Sequence, residues 1–239
     1  AALQGEKDLI WYPAEVNTSI RPGWFYHTKE DNQVLDRILN ARKTCRAFAE
    51  NVPTDDEIKE VIQAGCIAPY ASIDAKVVTP FRHFFVIKKD DPKMEQIDAF
   101  IRQQSQIDLD SRIKEEETDP FLKENGEGVK KLWKHVAECG ESTFPNPPCL
   151  IIAAEWRGAR RAEHQSLAHM MQNMWIKATA LNLDFQLISV TENMVNNQDF
   201  CDMLGLQVGR YGFLACVLGY AKENNAPQHP RATTQIHWL

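Results

Sequence analysis

Residues 42–46 read Arg42-Lys43-Thr44-Cys45-Arg46 and form the most informative stretch of the chain. They place three cations and a hydroxyl within five residues. A phosphate group is bound best by guanidinium donors, a compact positive charge and a hydroxyl donor acting together, and this segment supplies all three. A solvated basic turn is the alternative interpretation, because such turns are common on protein surfaces. The secondary structure predicted on either side of the segment therefore helps to decide between a phosphate site and a solvated turn.

Helices are predicted on both sides of this segment. Apolar residues over 34–39 recur at helical spacing and predict an amphipathic helix that runs up to Arg42. After Pro53, Thr54 and Glu57 have the spacing of a capping box, which predicts a second helix that ends at Ala68-Pro69. The basic stretch is thus a short connection between two helices.

Four short apolar runs rich in β-branched and aromatic residues predict buried strands, at 84–87, 150–154, 185–190 and 213–218. Between them, helices are predicted after Asp91-Pro92, from Val129 and over 167–181, the last being the longest amphipathic helix. Asn182 follows that helix, where a left-handed residue is favoured. Residues 105–144 are charged and only weakly periodic. Helices between isolated strands predict a layered α and β domain over roughly 35–239.

Length, charge and cysteine spacing exclude several classes of protein. The 239 residues suffice for one large domain. The net charge of −6 argues against a nucleic-acid scaffold, and no apolar run approaches the roughly 20 residues of a membrane span. The six cysteines form no C-x-x-C pair, so neither a metal site nor a disulfide framework is predicted, and reduced thiols favour a cytoplasmic location.

Taken in order, the motifs of this chain resemble those of the FMN-dependent nitroreductase family. The resemblance covers residues ~35–239, and each motif is weak alone. The matching stretches are 42–48, Thr79-Pro80-Phe81-Arg82, Gln172-Asn173-Met174, Leu218-Gly219-Tyr220, Pro230-Arg231 and Ile236-His237-Trp238. The resemblance implies an α+β, three-layer fold. Its central mixed or antiparallel sheet is flanked by helices, and two chains form an intertwined homodimer with the flavin at their interface.

The resemblance also implies a set of FMN-binding residues. Arg42, Lys43 and Thr44 would bind the phosphate together with Arg231, and Arg46 would approach the N1–C2=O edge of the flavin. A cation is suitable there, because two-electron reduction leaves negative charge at N1. The other implied cofactor contacts are Pro69, Tyr70, Thr79 and Asn173.

The implied activity is ping-pong hydride transfer from NAD(P)H through FMN to a small electrophilic acceptor such as a nitroaromatic or quinone. It requires no acid–base pair from the protein, since catalysis is mainly positioning and electrostatics. The choice between NADH and NADPH stays open. Apart from the nicotinamide and the acceptor, the only partner implied is a second copy of the chain.

Two departures from the family pattern leave part of the flavin contact open. Tyr70 stands where the family usually has Ser, and Val77 where it has Asn. Asp74, Lys76 or a backbone group are alternatives for the lost Asn-type contact. An FMN-binding or storage protein with little turnover is therefore the second functional hypothesis.

Residues ~8–33 do not fit this pattern and resemble a fragment of a bacterial α-L-fucosidase. Some 30 residues cannot form the β/α-barrel of such an enzyme, so Glu15 is not expected to be catalytic. We therefore predict a leader over 1–34 that is not an independent domain, a junction near Asn32–Leu35, and an FMN-binding domain over 35–239. A glycoside hydrolase fragment is the remote alternative.

Overall fold

The structure is a computed structural model that describes residues 27–70, 80–158, 162–223 and 237–238. The chain divides into two compact units, residues 1–42 and 43–239. In the first unit, α1 spans Lys29–Ala41, which confirms the predicted helix and extends it toward the N-terminus. Thr28 caps it, since its hydroxyl accepts a hydrogen bond from the Asp31 N–H at 3.1 Å. The helix crosses the predicted junction near Asn32–Leu35 without a break, and most of the fucosidase-like stretch lies outside the described residues.

A four-stranded antiparallel sheet forms the centre of the second unit. Its strands are β1 (Arg82–Lys88), β2 (Cys149–Trp156), β3 (Asp184–Ile188) and β4 (Tyr211–Gly219), in the spatial order β1-β2-β4-β3. All four predicted strands are confirmed, and the third is shorter than expected. It ends at Ile188, whose carbonyl accepts a hydrogen bond from the Thr191 hydroxyl at 2.9 Å, and the chain continues as a 3₁₀ helix over Ser189–Asn196.

Six α-helices accompany the sheet in the described part of this unit. They are α2 (Asp55–Cys66), α3 (Lys93–Glu115), α4 (Pro120–Asn125), α5 (Glu127–Cys139), α6 (Glu163–Ala180) and α7 (Gln198–Met203). The capping box at the start of α2 is confirmed, with the Glu57 N–H donating to the Thr54 hydroxyl at 3.3 Å. The left-handed residue after α6 is confirmed as well, because Asn182 has a φ of 58°.

The helix over 167–181, expected to be the longest amphipathic helix, is not the longest helix of the described residues. It has 18 residues as α6, whereas α3 has 23 and runs deep into the charged stretch after residue 104. Side-chain hydrogen bonds between residues four apart support this second half of α3, such as Gln104 to Asp108 and Gln106 to Asp110, both at 2.9 Å. Hydrophobic periodicity does not detect such polar pairs, so the sequence did not predict this half of the helix.

Two hydrophobic clusters lie on opposite faces of the sheet, because side chains alternate along each strand. From β2, Leu150 and Ile152 point into one cluster, and Ile151 and Ala153 into the other. Helices α3 and α5 cover the first cluster through Ile97, Ile101 and Val136. Helices α2 and α6 cover the second cluster through Val61, Leu167 and Met170. The α+β fold with a helix–sheet–helix layering is thereby confirmed.

Candidate functional site

The backbone of residues 43–49, called the basic segment below, is fixed to the sheet at two places. Thr44 forms a parallel bridge with Phe185 at the start of β3, and the Cys45 N–H donates to the Phe185 carbonyl at 3.0 Å. Further along, the Ala49 N–H donates to Tyr220 at 2.8 Å, just beyond the end of β4. The segment is thus held by backbone bonds, which leave its side chains available for other roles.

Lys43 lies close to Asp184 at the first residue of β3. The Lys43 ammonium is 3.9 Å from an Asp184 carboxylate oxygen, and both side chains are about one-fifth exposed. The Lys43 carbonyl accepts a hydrogen bond from the Trp175 indole on α6 at 3.2 Å. Asp184 also accepts the Ala221 N–H at 2.8 Å, so this carboxylate links the basic segment to the end of β4.

Thr44 and Arg46 are exposed on the basic segment, as ligand-binding side chains need to be. Arg42 belongs to the first unit, where its N–H caps α1 by donating to the Ile38 carbonyl at 3.1 Å. Among the four predicted cations and hydroxyls of this stretch, Lys43, Thr44 and Arg46 therefore lie together in the second unit. Arg231, predicted to complete the phosphate site, lies outside the described residues, as does Thr79.

A recess of about 240 Å³ lies beside the basic segment and is lined in part by Arg46. Two further cations line it, Lys89 just after β1 and Lys222 beyond β4, and Lys89 pairs with Glu50. Ser142 and Thr143 are also part of the lining. The recess is rich in positive charge and hydrogen-bond donors, although the chain as a whole carries −6.

Glu141 is a partly buried carboxylate close to Arg46, and sequence reasoning did not identify it. It accepts a hydrogen bond from the Gln186 amide on β3 at 3.1 Å. Burial raises the pKa of Glu141, while the positive charge of Arg46 and the bond from Gln186 act in the opposite direction. A carboxylate thus lies within electrostatic range of the cation predicted to approach the flavin.

A second group of predicted residues, Pro69 and Tyr70, lies at the start of β1. The Pro69 carbonyl accepts a hydrogen bond from the Arg82 guanidinium at 3.3 Å. The Tyr70 ring packs on Phe81 with a centroid distance of 4.4 Å. Both residues follow the end of α2. Their position depends on the side chain of Arg82, the first residue of β1.

Asn173, the remaining predicted contact, lies on α6 and donates a hydrogen bond to the Ala64 carbonyl of α2 at 3.3 Å. This bond joins the two helices that cover one face of the sheet. Two residues further along α6, Trp175 contacts the basic segment. In this structure Asn173 therefore has a helix-joining contact, and its predicted role toward a cofactor stays a prediction.

The two groups lie at opposite ends of the sheet. Arg82, which binds Pro69, stands opposite Glu155, which in turn stands opposite Gly212 on β4. Asp184, beside Lys43, stands opposite Gly219 on the same strand. Gly212 and Gly219 are seven residues apart, which corresponds to roughly 20 Å along a strand. Within one chain, the basic segment and the Pro69–Tyr70 pair are thus far apart.

Metal ligands and membrane spans can be assessed only for the described ranges. Within 27–70, 80–158, 162–223 and 237–238, no three His, Cys, Asp or Glu side chains are placed to hold a metal ion. No helix in those ranges is both long and apolar enough to cross a membrane.

Comparisons with known proteins agree with the fold. A sequence model of the nitroreductase family matches residues 39–221. A nitroreductase with bound FMN from Bacteroides fragilis superposes with a TM-score of 0.61 at 16% identity, covering 85% of this chain and 98% of that one. For a nitroreductase with bound FMN from Desulfitobacterium hafniense, the TM-score is 0.60 at 18% identity, with coverages of 86% and 97%.

A BluB-like flavoprotein from Clostridium difficile superposes with a TM-score of 0.59 at 18% identity, covering 85% of this chain and 99% of that one. A search of curated protein sequences gives no match. None of these comparisons supports the fucosidase-like interpretation of residues ~8–33.

Proposed function

Because the chain belongs to the nitroreductase family, we propose that it is an FMN-dependent oxidoreductase that takes electrons from NAD(P)H and passes them to a small electrophilic acceptor. The observation that carries the proposal is the basic segment. Its backbone is hydrogen-bonded to β3 and to the residue beyond β4, and its Thr44 and Arg46 side chains are exposed. Homologous structures with bound FMN support the choice of cofactor.

The residues present fit the chemistry of FMN. Lys43 and the Thr44 hydroxyl supply donors for a phosphate, and Arg46 supplies a guanidinium for an anionic edge. We propose Arg42 and Arg231 as further phosphate ligands. When bound, FMN supplies two-electron transfer between the nicotinamide and the acceptor. Thr79 and Asn173 remain proposed contacts to the cofactor.

The protein's own contribution is binding, orientation and electrostatics. The Lys43 ammonium group lies close to Asp184 in this structure. A bound phosphate would therefore compete with that carboxylate for the ammonium group. Arg46 would stabilise negative charge on the reduced cofactor, because a cation already placed beside that charge requires little reorganisation. Glu141 opposes this effect when ionised, since its negative charge lies within electrostatic range of the guanidinium.

We propose a homodimer in which the cofactor lies at the subunit interface. The separation of roughly 20 Å between the basic segment and the Pro69–Tyr70 pair supports this arrangement. A second copy allows the two groups to approach one flavin ring from different chains. Size-exclusion chromatography with light scattering should then give twice the 27.3 kDa of one chain, and a monomer that retains FMN would contradict it.

The direct test is reconstitution with FMN followed by anaerobic reduction. The protein should bind about one FMN per chain, and NADH or NADPH should bleach the flavin absorbance. Lys43→Gln should weaken FMN binding, whereas Lys131→Gln, which removes the same charge from a side chain that is 75% exposed on α5, should not. A protein that binds no FMN would refute the proposal.

Bound FMN that neither nicotinamide reduces would instead favour the second candidate, a flavin-binding protein with little turnover. The Tyr70 and Val77 departures motivate that candidate. Turnover with nitroaromatics and quinones, measured with each nicotinamide, then identifies the acceptor class. The cytoplasmic location and the leader over 1–34 stay predictions.

A further inference from the structure

Arg82, the first residue of β1, makes four hydrogen bonds with a single guanidinium. Its Nε donates to the Glu155 carboxylate at 2.6 Å. Its two terminal nitrogens donate to carbonyls at the end of α2 and just beyond it: those of Cys66 at 3.2 Å, Ala68 at 3.1 Å and Pro69 at 3.3 Å. The guanidinium also lies 5.5 Å from the centre of the Tyr70 ring. One buried side chain thus contacts every residue from 66 to 70 except Ile67.

The surroundings of Arg82 favour a guanidinium over any other cation. Its side chain is 8% exposed and that of Glu155 is fully buried. A buried cation must be paired and hydrogen-bonded, and only the planar fork of arginine serves a carboxylate and three carbonyls at once. These carbonyls are also at the negative end of the α2 dipole, which a cation stabilises.

We propose that Arg82, held by Glu155, is a positioning residue that fixes the Pro69–Tyr70 surface of the FMN site. This inference rests on the proposed function, because it assumes that Pro69 and Tyr70 contact the flavin. Arg82 itself lies behind these residues and acts through them. Its role is to prevent the segment after α2 from shifting when the cofactor binds.

A matched control exists on the other face of the sheet. Arg102 on α3 donates to the Asp98 carboxylate at 2.7 Å and to the carbonyls of Glu138 and Cys139 at the end of α5, at 2.6 and 2.8 Å. It therefore has the same construction, an acid and a helix C-terminus joined by one guanidinium. It differs from Arg82 because none of the predicted cofactor contacts lies at the helix end that it fixes; Glu141, two residues further on, is a neighbour of Arg46 and is not itself a predicted contact.

The experiment compares Arg82→Lys with Arg102→Lys. Both variants should lower the melting temperature, since lysine keeps the charge and loses the fork. Only Arg82→Lys should raise the FMN dissociation constant, roughly tenfold, and change the visible circular dichroism of the bound flavin. Glu155→Gln, which keeps an acceptor for Arg82, should change both flavin readouts in the same direction and less strongly.

The outcomes separate this inference from the proposed function. If the parent protein binds no FMN, the proposed function fails and the inference fails with it. If the parent binds FMN and Arg82→Lys keeps the parent's dissociation constant and flavin spectrum while losing stability as Arg102→Lys does, then only the inference is overturned. Should Arg82→Lys not fold, Glu155→Gln decides by the same two flavin readouts.

Discussion

Arg46 and Glu141 place opposite charges within electrostatic range at one end of the sheet, and they reach it from distant parts of the chain. Arg46 comes from the basic segment, and Glu141 follows α5. Gln186 on β3 fixes the carboxylate through its amide. The charge that a bound cofactor meets there depends on both residues, so each carries a prediction.

Replacing Arg46 with Gln should make the midpoint potential of bound FMN more negative. In the proposed FMN site this cation would stabilise the reduced flavin more than the oxidised one, so its loss should disfavour reduction. A shift on the order of 30 mV corresponds to one factor of ten for a two-electron couple. Spectroelectrochemical titration of the reconstituted protein measures the shift. Lys131→Gln is the charge-matched control, and an equal shift in both variants would contradict a specific role for Arg46.

Glu141→Gln should change how stability depends on pH. Burial raises the pKa of Glu141 above its ordinary value of 4.5, so between 4.5 and the folded pKa the native state binds more protons than the unfolded state. The free energy of unfolding therefore falls as pH rises through that window. The variant lacks this titrating carboxyl group. The free energy of unfolding of the variant, relative to that of the parent, should therefore increase from pH 4 to pH 7.

Urea denaturation at several pH values measures this change. Glu138→Gln, in which a side chain that is 62% exposed is altered, serves as the control and should follow the parent curve. A Glu141→Gln curve that also runs parallel to the parent's would refute the prediction.

Local motifs could be predicted at the residue scale, and long-range contacts could not. The capping box of Thr54 and Glu57 is confirmed, because both partners lie within one turn of chain. Glu141 and Gln186 are 45 residues apart, and neither belongs to a motif. Arg82 was visible in the stretch Thr79-Pro80-Phe81-Arg82, but its bonds to the end of α2 depend on how α2 meets the sheet.

At the scale of elements, the packing of the basic segment on β4 depends on Gly219. A Cβ there would lie 2.9 Å from a ring carbon of Phe48 and 2.9 Å from Cγ of Pro148. Gly219→Ala should therefore lower the free energy of unfolding by about 1–3 kcal/mol, the usual range for overpacking, and should weaken FMN binding. Denaturation and FMN titration measure the two effects.

Gly128→Ala on α5 is the matched control, since nothing lies within 4 Å of its added Cβ. It should leave FMN binding unchanged and slightly favour the helix. If Gly219→Ala behaved as Gly128→Ala does, the close packing of the basic segment on β4 would be wrong.

Strands and capped helices were predictable, since their signals lie in contiguous residues. Four apolar runs identified the four strands. The extension of α3 to Glu115 escaped prediction, because polar pairs such as Gln106 and Asp110 support it. Hydrophobic periodicity also cannot predict the order of the strands, since β4 lies between β2 and β3 in the sheet but comes last in the chain.

For the whole molecule, cysteine reactivity reports whether both core clusters are intact. Cys66 and Cys139 are exposed, and the other four cysteines are buried. Burial raises the pKa of the Cys149 thiol to about 12 and that of Cys216 well above its ordinary value. Iodoacetamide at pH 8 should therefore label Cys66 and Cys139 in the native protein and all six cysteines in denaturant. Rapid native labelling of Cys201 in the first cluster, or of Cys149 or Cys216 in the second, detected by peptide mass mapping, would contradict the packing.

The layered fold could be anticipated as a whole, whereas the distance between the two parts of the site within one chain could not. Motif order in the sequence implied the fold, and the family match over 39–221 agrees with it. Pro69 and Lys43 were expected to contact one ligand, yet the strand register separates their surroundings by roughly 20 Å. Such a separation follows only from the three-dimensional arrangement.

The pairing of Arg82 with Glu155 has a further consequence for the fidelity of strand alignment during folding. The two residues stand directly opposite each other in β1 and β2. A slip of one residue would place His83 opposite Glu155 and turn Arg82 to the other face of the sheet. Glu155 would then be buried without its cation, at a cost of about 3–5 kcal/mol. The buried ion pair thus discriminates against misaligned pairings of β1 with β2 that the apolar strands would otherwise tolerate.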